Sequence, residues 1–472
     1  MIRSSSHAKG ELLRHVKCHA LAYPTGEKLR FRRVATAAAV MTIVFGGACV
    51  ATGDAQAASR QAMSATAPGT DKANKPRVIP NKSTKSVDEC AQARQEAMAK
   101  GEVTALCSTP VSASDAKRLS TTRSAAASGG TVWCDDQEAG TVIVTRTSIC
   151  RHKVEEFALI KVDDGSVLGT TFLTIEQEIN TSTTGKAFSD YFFVRVQGVS
   201  GGLADGFDLQ IDAACASSSA CQQGPGPWEG PTPVELLSER EGTWQRTWTN
   251  DAYFDTLLLE YTITVTKEGA LPGAASWGVS DSNAWQVRCD KQVGAFAGCV
   301  IPAYTPTFDV DDVKYPLASS YIDLAQSYIK TNPGSESSGG QPLHRESNEE
   351  VVKANRDKVC DSTFAPEDHW TGSVPDDEVP VFQCDEFPFA ATKESGGQLG
   401  IASGSECKQF TIYPPVEGYP NGWAGLAYAA SGPADCARAT MSKEDNEGVG
   451  GDLGRFTVAQ RLLDDDAYWV TP

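Results

Sequence analysis

From Thr131 to about Val313 the chain alternates in the manner of β-strands. Thr262-Ile263-Thr264-Val265 switches between polar and apolar with period two, and β-branched or aromatic runs recur at 141–145, 157–162, 170–179, 191–196, 207–211 and 257–265. Such alternation puts every second side chain on one face of a strand. Gly, Asp, Asn and Pro punctuate the gaps, and no helical period intervenes. The pattern predicts an antiparallel β-sandwich-like domain over residues 131–313.

Helical patterns lie on either side. Ala91 to Lys100 is a run of strong helix formers closed by Gly101, predicting a short helix within 88–107. The rest of 58–130 is rich in Ala, Ser, Thr, Lys and Pro and reads as flexible linker. Ser319 to Lys330 is amphipathic, and Ser335-Glu336-Ser337-Ser338-Gly339-Gly340 follows it, so 314–341 reads as helix plus linker. A further domain over 342–472 is expected to open with a helix from Ser347 to Lys358, N-capped by Ser347 with Glu350 three residues on. Lys408–Tyr413 is a strand pattern. Glu444 to Gly451 is an acidic, glycine-rich loop leading into a helix over 452–463, and a turn and short strand close the chain at 464–470.

The first 57 residues have the order of an export signal. Lys28, Arg30, Arg32 and Arg33 precede the small apolar run Val34–Val50, and Ala55-Gln56-Ala57 supplies a small-x-small cleavage site before Ala58. That run is too weakly hydrophobic for a membrane anchor, and no other stretch is long and apolar enough, so no stable membrane association is expected. The expected location is secreted, extracellular.

Composition narrows the picture. With 40% apolar and 22% charged residues among 472, wholesale disorder is excluded. A net charge of −18, from 42 Lys+Arg against 60 Asp+Glu, argues against a chain-wide grip on nucleic acid. It does not exclude a nuclease, because a bound cation reverses the local field around a phosphate. Of 14 cysteines, Cys18 and Cys49 fall in the targeting region. The remaining twelve fall in neighbours: Cys90/Cys107, Cys134/Cys150, Cys215/Cys221, Cys289/Cys299, Cys360/Cys384 and Cys407/Cys436. An exported chain permits disulfides, and local pairing closes the smallest loops. Zinc is the rival, but no Cys-x2-Cys pair exists and the mature chain has only His152, His344 and His369. Local disulfides are expected.

Chemistry concentrates near the C-terminus. Cys384-Asp385-Glu386-Phe387-Pro388-Phe389-Ala390 sets two adjacent carboxylates between a cysteine and a proline-stiffened turn. Asp445, Asn446, Glu447 and Asp452 offer hard oxygen ligands around a helix start, suited to Mg²⁺, Mn²⁺ or Ca²⁺. Such an ion can hold a phosphodiester oxygen while a carboxylate takes a proton from water. The plain alternative is a solvated helix cap.

These residues resemble the NucA/NucB-type secreted bacterial deoxyribonucleases. The matching pieces are Asp385-Glu386-Phe387-Pro388-Phe389-Ala390, Asp445-Asn446-x-Gly448-x-Gly450, and the end from Gln460-Arg461-Leu462-Leu463-Asp464 to Val470. Leu343-His344-Arg345, Ala354-Asn355-Arg356 and Cys360 are similar to a lead-in of that domain, so the resemblance spans about 342–472. It implies an α+β nuclease domain with a ββα-metal core, cleaving DNA endonucleolytically with little sequence preference and using a divalent cation, Mg²⁺ or Mn²⁺. An aspartate stands in related enzymes where other ββα-metal nucleases place a histidine base. That role maps onto Asp385, with Glu386 in support and Asn446 on the family's asparagine. The family's helix carboxylate does not align: the stretch reads Arg455-Phe456-Thr457, and Asp452 is the candidate ligand instead.

Lys443, Arg455 and Arg461 are the expected DNA contacts, although the 10 basic and 23 acidic residues from Pro342 onward leave −13. The reading from another class is a noncatalytic secreted adhesion or carbohydrate-binding protein carrying a decayed nuclease domain. Six tryptophans (Trp133, Trp228, Trp244, Trp248, Trp277 and Trp285) fall in the β-rich stretch, as core packing or as a carbohydrate face. A cell-surface or carbohydrate ligand would then be that domain's partner.

Overall fold

The structure is a computed structural model, and it describes residues 75–79, 88–112, 114–115, 134, 141–216, 220–227, 230–250, 253–365, 381–413, 424–426 and 433–472. All of them belong to one compact unit, Ala65–Pro472. The export signal and most of the 58–130 linker lie outside the described residues.

In chain order the elements begin with β1 (Arg77–Ile79), α1 (Glu89–Lys100), β2 (Thr104–Pro110), β3 (Val142–Val144), β4 (Ser148–Lys161), β5 (Val167–Asn180), β6 (Ala187–Val199) and β7 (Phe207–Cys215). Then come β8 (Cys221–Gln223), β9 (Thr232–Val234), β10 (Glu239–Trp248), β11 (Phe254–Thr266), β12 (Gly273–Gly278), β13 (Gln286–Asp290), β14 (Gly298–Val300) and β15 (Thr307–Asp309). The C-terminal part contains α2 (Pro316–Tyr328), β16 (Leu343–His344), α3 (Glu349–Val359), β17 (Phe382–Phe387), β18 (Lys408–Tyr413), β19 (Ala424–Leu426), β20 (Ala437–Ser442), α4 (Lys443–Ala459) and β21 (Ala467–Thr471).

The β-rich part is two sheets sharing one core. One runs β1-β3-β4-β5-β6-β10-β8 with β2 beside β4, the other β14-β13-β11-β7-β9 with β12 beside β11, and every pairing is antiparallel. Strand β11 shows why: Leu257, Leu259, Tyr261, Ile263 and Val265 are buried while the residues between them are half-buried. Phe192 of the first sheet packs against Tyr261 and Trp277 of the second, with ring centroids 5.5 and 6.0 Å away. Trp244, Trp248, Trp277 and Trp285 are all buried in this core, so they form no carbohydrate face. Trp133 and Trp228 lie outside the described residues.

All six expected disulfides are present: Cys90–Cys107, Cys134–Cys150, Cys215–Cys221, Cys289–Cys299, Cys360–Cys384 and Cys407–Cys436. Cys90–Cys107 staples α1, which Asp88 N-caps and Gly101 closes in the left-handed region at φ 75°. Cys407–Cys436 joins the starts of the parallel strands β18 and β20, its Cα atoms 4.8 Å apart. The helix at 349–359 starts one residue later than expected, because Asn348 rather than Ser347 accepts the first-turn N–H groups.

A second core belongs to the C-terminal part, and it reaches back to Phe308. The expected boundary at Pro342 falls inside it. Leu317, Ala318, Tyr321, Ile322 and Ala325 of α2 are buried against Phe410, Ile412, Ala437, Ala439 and Met441. Strand β15 pairs in parallel with β21, whose other edge takes β16. The Ser/Gly stretch at 331–341 is a turn closed by Gly334 N–H to Gln341 C=O at 2.7 Å.

The two cores meet through buried charges. Arg146 and Arg288 both bind the Asp466 carboxylate, at 3.1 and 2.6 Å, and Arg146 also donates to the Gln460 carbonyl at 2.7 Å. Desolvation, with Arg288 close by, lowers Arg146 to about 10, so it stays charged at neutral pH.

Candidate active site

The sheet that carries the acid pair is ordered β17-β20-β18-β19, with β17 at an edge. Asp385 and Glu386 are central to β17, where Asp385 faces Ala439 and Glu386 faces Arg438 across the antiparallel ladder. Neighbouring residues of a strand point to opposite faces, so the pair that looks like a single acid patch in sequence is split by the pleat.

Asp385 shares its face with Phe387 and Ala439, the face covered by α2 and α4. Its carboxylate is buried and, among the described residues, accepts one hydrogen bond, from the Glu386 N–H at 3.0 Å. Burial first, and the Glu386 charge second, push it up to about 8. Glu386 lies on the other face, beside α3. Its Oε1 takes the Arg356 Nε–H at 3.3 Å, and burial raises it against that guanidinium's opposing pull. The Cys360–Cys384 disulfide fastens the end of α3 to β17 one residue before Asp385.

Of the two disulfides in this part of the chain, only that one adjoins the acids. Cys436 does not reach them. It stands just before β20, buried in a small apolar cluster with Val359, Ile401 and Cys407. Bonded to Cys407, it offers neither a thiol nor a metal ligand, and its role is to hold β18 against β20. The turn at Gly396 packs so closely on it that an added Cβ there would lie 2.8 Å from the Cys436 Cβ. Cys436 therefore belongs to the scaffold of the site and not to its chemistry.

Helix α4 follows β20 directly. The acidic glycine-rich segment expected as a loop is its first two turns. Ser442 N-caps it by accepting from Asp445 N–H at 3.1 Å, and Glu444 and Asp445 suit the positive end of the helix. Glycine costs about 1 kcal/mol in a helix, yet Gly448 has a packing reason. A Cβ there would sit 2.3 Å from the Tyr315 ring. Asn446 bridges helix and strand, its Nδ2 donating to Gln383 Oε1 at 3.0 Å and to the Cys384 carbonyl at 3.4 Å.

The other expected site residues lie elsewhere. Asp445 caps α2, accepting the Leu317 and Ala318 N–H groups at 3.0 and 3.4 Å. Asp452 takes the Tyr315 hydroxyl at 2.7 Å, Lys314 at 3.0 Å and Arg455 Nε at 2.8 Å. Against the upward pull of desolvation, those donors hold it down at about 2. It is therefore a three-donor ion pair that ties α4 to the start of α2, and its oxygens are already engaged. Lys443 is exposed beside Glu447 at 3.9 Å.

Arg461 is buried, not on a basic rim. It binds Asp290 (Nε to Oδ2, 3.0 Å) and donates to the Thr183 and Phe296 carbonyls at 2.8 and 2.9 Å. Arg461→Ala leaves Asp290 buried without its cation, and breaking such a pair costs about 3–5 kcal/mol. A large drop in melting temperature is expected by thermal denaturation of the chain from Ala58; a loss below about 1 kcal/mol would rank the pair with surface ion pairs.

Two groups near the acids escaped the sequence reading. Arg356 was legible in principle, since it lies one helical turn before Cys360, whose bond to Cys384 brings that face of α3 to β17. Tyr321 of α2 was not. It is fully buried, burial raises it well above its ordinary value, and the charges of Asp385 and Glu386 raise it further.

Among the described residues Cys134, Cys150 and His152 come together like metal ligands. Their two sulfurs are joined as a disulfide, so no thiolate is offered. A cleft of about 540 Å³ opens between α3 and α4 and has Arg356 in its wall; a larger recess of about 800 Å³ lies against β7 and β9 and holds none of these residues. Among the described residues no helix is long and apolar enough to cross a membrane. Comparison with protein-family models, curated proteins and solved structures finds no match for the chain.

Proposed function

We propose that the protein is an exported, metal-dependent endonuclease that hydrolyses DNA phosphodiester bonds with little sequence preference, and that Asp385 is its general base. The observation that carries this is the Asp385 carboxyl. It is buried on an edge strand and pushed up to about 8, and Asn446, from the helix that follows the partner strand, bonds the carbonyl of the preceding Cys384. Antiparallel β17 and β20, followed directly by α4, support that reading. A carboxyl that titrates near neutral pH suits proton transfer from an attacking water, worth about 10² to 10⁴ in rate. Glu386 acts at second hand by holding Arg356 beside the strand, where its guanidinium faces an anionic substrate.

The donor set fits a hard divalent cation. The buried Asp385 carboxylate accepts a single hydrogen bond among the described residues, and the Asn446 amide spends its nitrogen on Gln383 and Cys384, keeping its oxygen as acceptor. The Asn446 oxygen and one Asp385 oxygen would hold the ion, leaving the other Asp385 oxygen to take the proton; Asp452 would not hold it. When bound, Mg²⁺ or Mn²⁺ polarises a phosphodiester oxygen and offsets local negative charge. Six disulfides agree with an oxidising, extracellular destination.

The test is plasmid nicking by the chain from Ala58 with Mg²⁺, with Mn²⁺ and with EDTA. Nicking that needs the cation is expected. The net −13 from Pro342 onward favours the second reading, a noncatalytic adhesion or carbohydrate-binding protein. That reading takes over if the chain cuts under neither ion.

A further inference from the structure

The cleft between α3 and α4 has three walls of different chemistry. Lys353 and Arg356 line it from α3, and both are exposed; the acids Glu346, held by Lys393, and Glu349 line its rim as well. Among the described residues Lys353 pairs with Asp357, one turn away and itself exposed, a contact that costs little to break. The α4 wall presents Gly450 and Gly454, where an added Cβ would meet nothing within 4 Å, so this face of the helix is bare backbone open to a ligand. The third wall comes from the β-rich part: the loop joining β13 to β14 contributes Gly294, which packs against Val458 of α4.

That loop is rigid. Cys289–Cys299 clamps its base, and the Asp290 carboxylate accepts the Gln292 and Val293 N–H groups at 3.1 and 3.4 Å. Arg461 then fixes both ends, through Asp290 and through the Phe296 carbonyl. On this rigid loop, two residues beyond Gly294, the Phe296 side chain is 67% exposed. A single exposed aromatic is ordinary on a protein surface; Phe296 matters here by its place, on a fixed loop whose Gly294 lines the cleft, where its ring is open to a flat apolar partner.

We propose that this cleft binds a single-stranded segment of nucleic acid, with Lys353 and Arg356 on its phosphates and a base stacked on Phe296. The proposal rests on the nuclease reading and gives it a substrate tract. Cations that follow a backbone together with an aromatic platform are the recurring features of single-strand binding. Arg356 links the tract to the acid pair, since the same guanidinium lines the cleft and holds Glu386. A duplex keeps its bases stacked inside and offers Phe296 nothing. Arg461 becomes a positioning residue that holds the loop rather than the DNA.

The test is fluorescence anisotropy of the chain from Ala58 in EDTA, where nothing is cut. The probes are a labelled oligothymidylate of about 12 nucleotides, within the usual site sizes, and a duplex of equal length. The single strand is expected to bind more tightly. Phe296→Ala is expected to weaken it about 10-fold, within the range for one stacked base, and to leave duplex binding and the melting temperature unchanged. Lys353→Ala is expected to lower the slope of log affinity against log salt by about 0.7. Wild-type binding by both variants, or a preference for the duplex, overturns the proposal. If the unaltered chain nicks plasmid but the variants bind like it, the cleft assignment fails and the nuclease reading stands. If the oligonucleotide binds as described but nothing is ever cut, the nuclease reading fails and the cleft remains a single-strand site.

Discussion

Asp385→Asn is expected to abolish DNA cleavage and, in EDTA at pH 8, to raise the melting temperature. Asparagine keeps the shape and one acceptor oxygen but takes no proton at neutral pH, so the rate should fall by about 10² to 10⁴. The stability effect follows from the direction of the titration. Burial and Glu386 hold the folded carboxyl up at about 8, against about 3.9 for an unfolded aspartate. Between those values the folded state binds the extra proton, so stability is fullest below about pH 4 and declines as pH rises toward 8. The neutral amide removes that decline. Wild type and variant should therefore melt closer together at pH 5 than at pH 8, with the variant higher at pH 8. A surface or capping aspartate would behave in the opposite way, losing stability on substitution and leaving cleavage alone. Nicking at the wild-type rate by Asp385→Asn, or a lower melting temperature at pH 8, would remove the assignment.

A chain shortened to Pro342–Pro472 is expected not to fold. Its core includes Phe308, Leu317, Tyr321, Ile322 and Ile329, all of which the cut removes. Losing one large buried apolar side chain costs about 2–5 kcal/mol, so losing five, about 10–25 kcal/mol, is comparable to or larger than the roughly 5–15 kcal/mol of a whole domain. The cut also strips β15 from the edge of β21, the Gln326 bond to the Val470 carbonyl, and the helix that Asp445 caps. Circular dichroism should show no cooperative melt and the fragment should cut nothing, while the chain from Ala58 melts cooperatively. A cooperative melt of the fragment would show that α2 is dispensable. The same geometry explains why the plasmid assay uses the longer chain: an inactive fragment would report unfolding, not chemistry.

Much of this architecture was written in local pattern. Alternation in 257–265 placed β11 and chose its buried face, because period two has one consequence for a strand. The order of cysteines made pairing between consecutive neighbours the expectation, and all six such pairs formed, although Cys384 lies as near to Cys407 in sequence as to Cys360 and only the fold chose between them. That order did not say which bond adjoins the acids: Cys384 does, while Cys436 is buried among Val359, Ile401 and Cys407. The strong helix formers between Asp88 and Gly101 needed only their caps. Local pattern failed where a distant contact outweighed it. Glycines argued for a loop at 444–451, but Tyr315 packs so close to Gly448 that only a bare helix fits, and that partner lies more than a hundred residues upstream. Pro342 looked like a boundary because Ser and Gly precede it, although the apolar face of α2 had no partner until β18 and β20 were folded beneath it.

Charged residues were the least legible, since a carboxylate or guanidinium carries no mark of its partner in sequence. Asp385 and Glu386 are adjacent in the chain, yet the pleat gives one to α4 and the other to Arg356. Asp452 and Arg461 had the residue types of a metal ligand and a DNA contact. Tertiary structure gave Asp452 three donors and buried Arg461 against Asp290, because the turn after α4 closes onto the β-rich part. The sequence by itself determined the strands and which short segment carries the acids, and it made local disulfides the expectation. Which of those acids keeps a buried carboxyl with a single hydrogen bond among the described residues was decided only when elements far apart in the chain removed it from water.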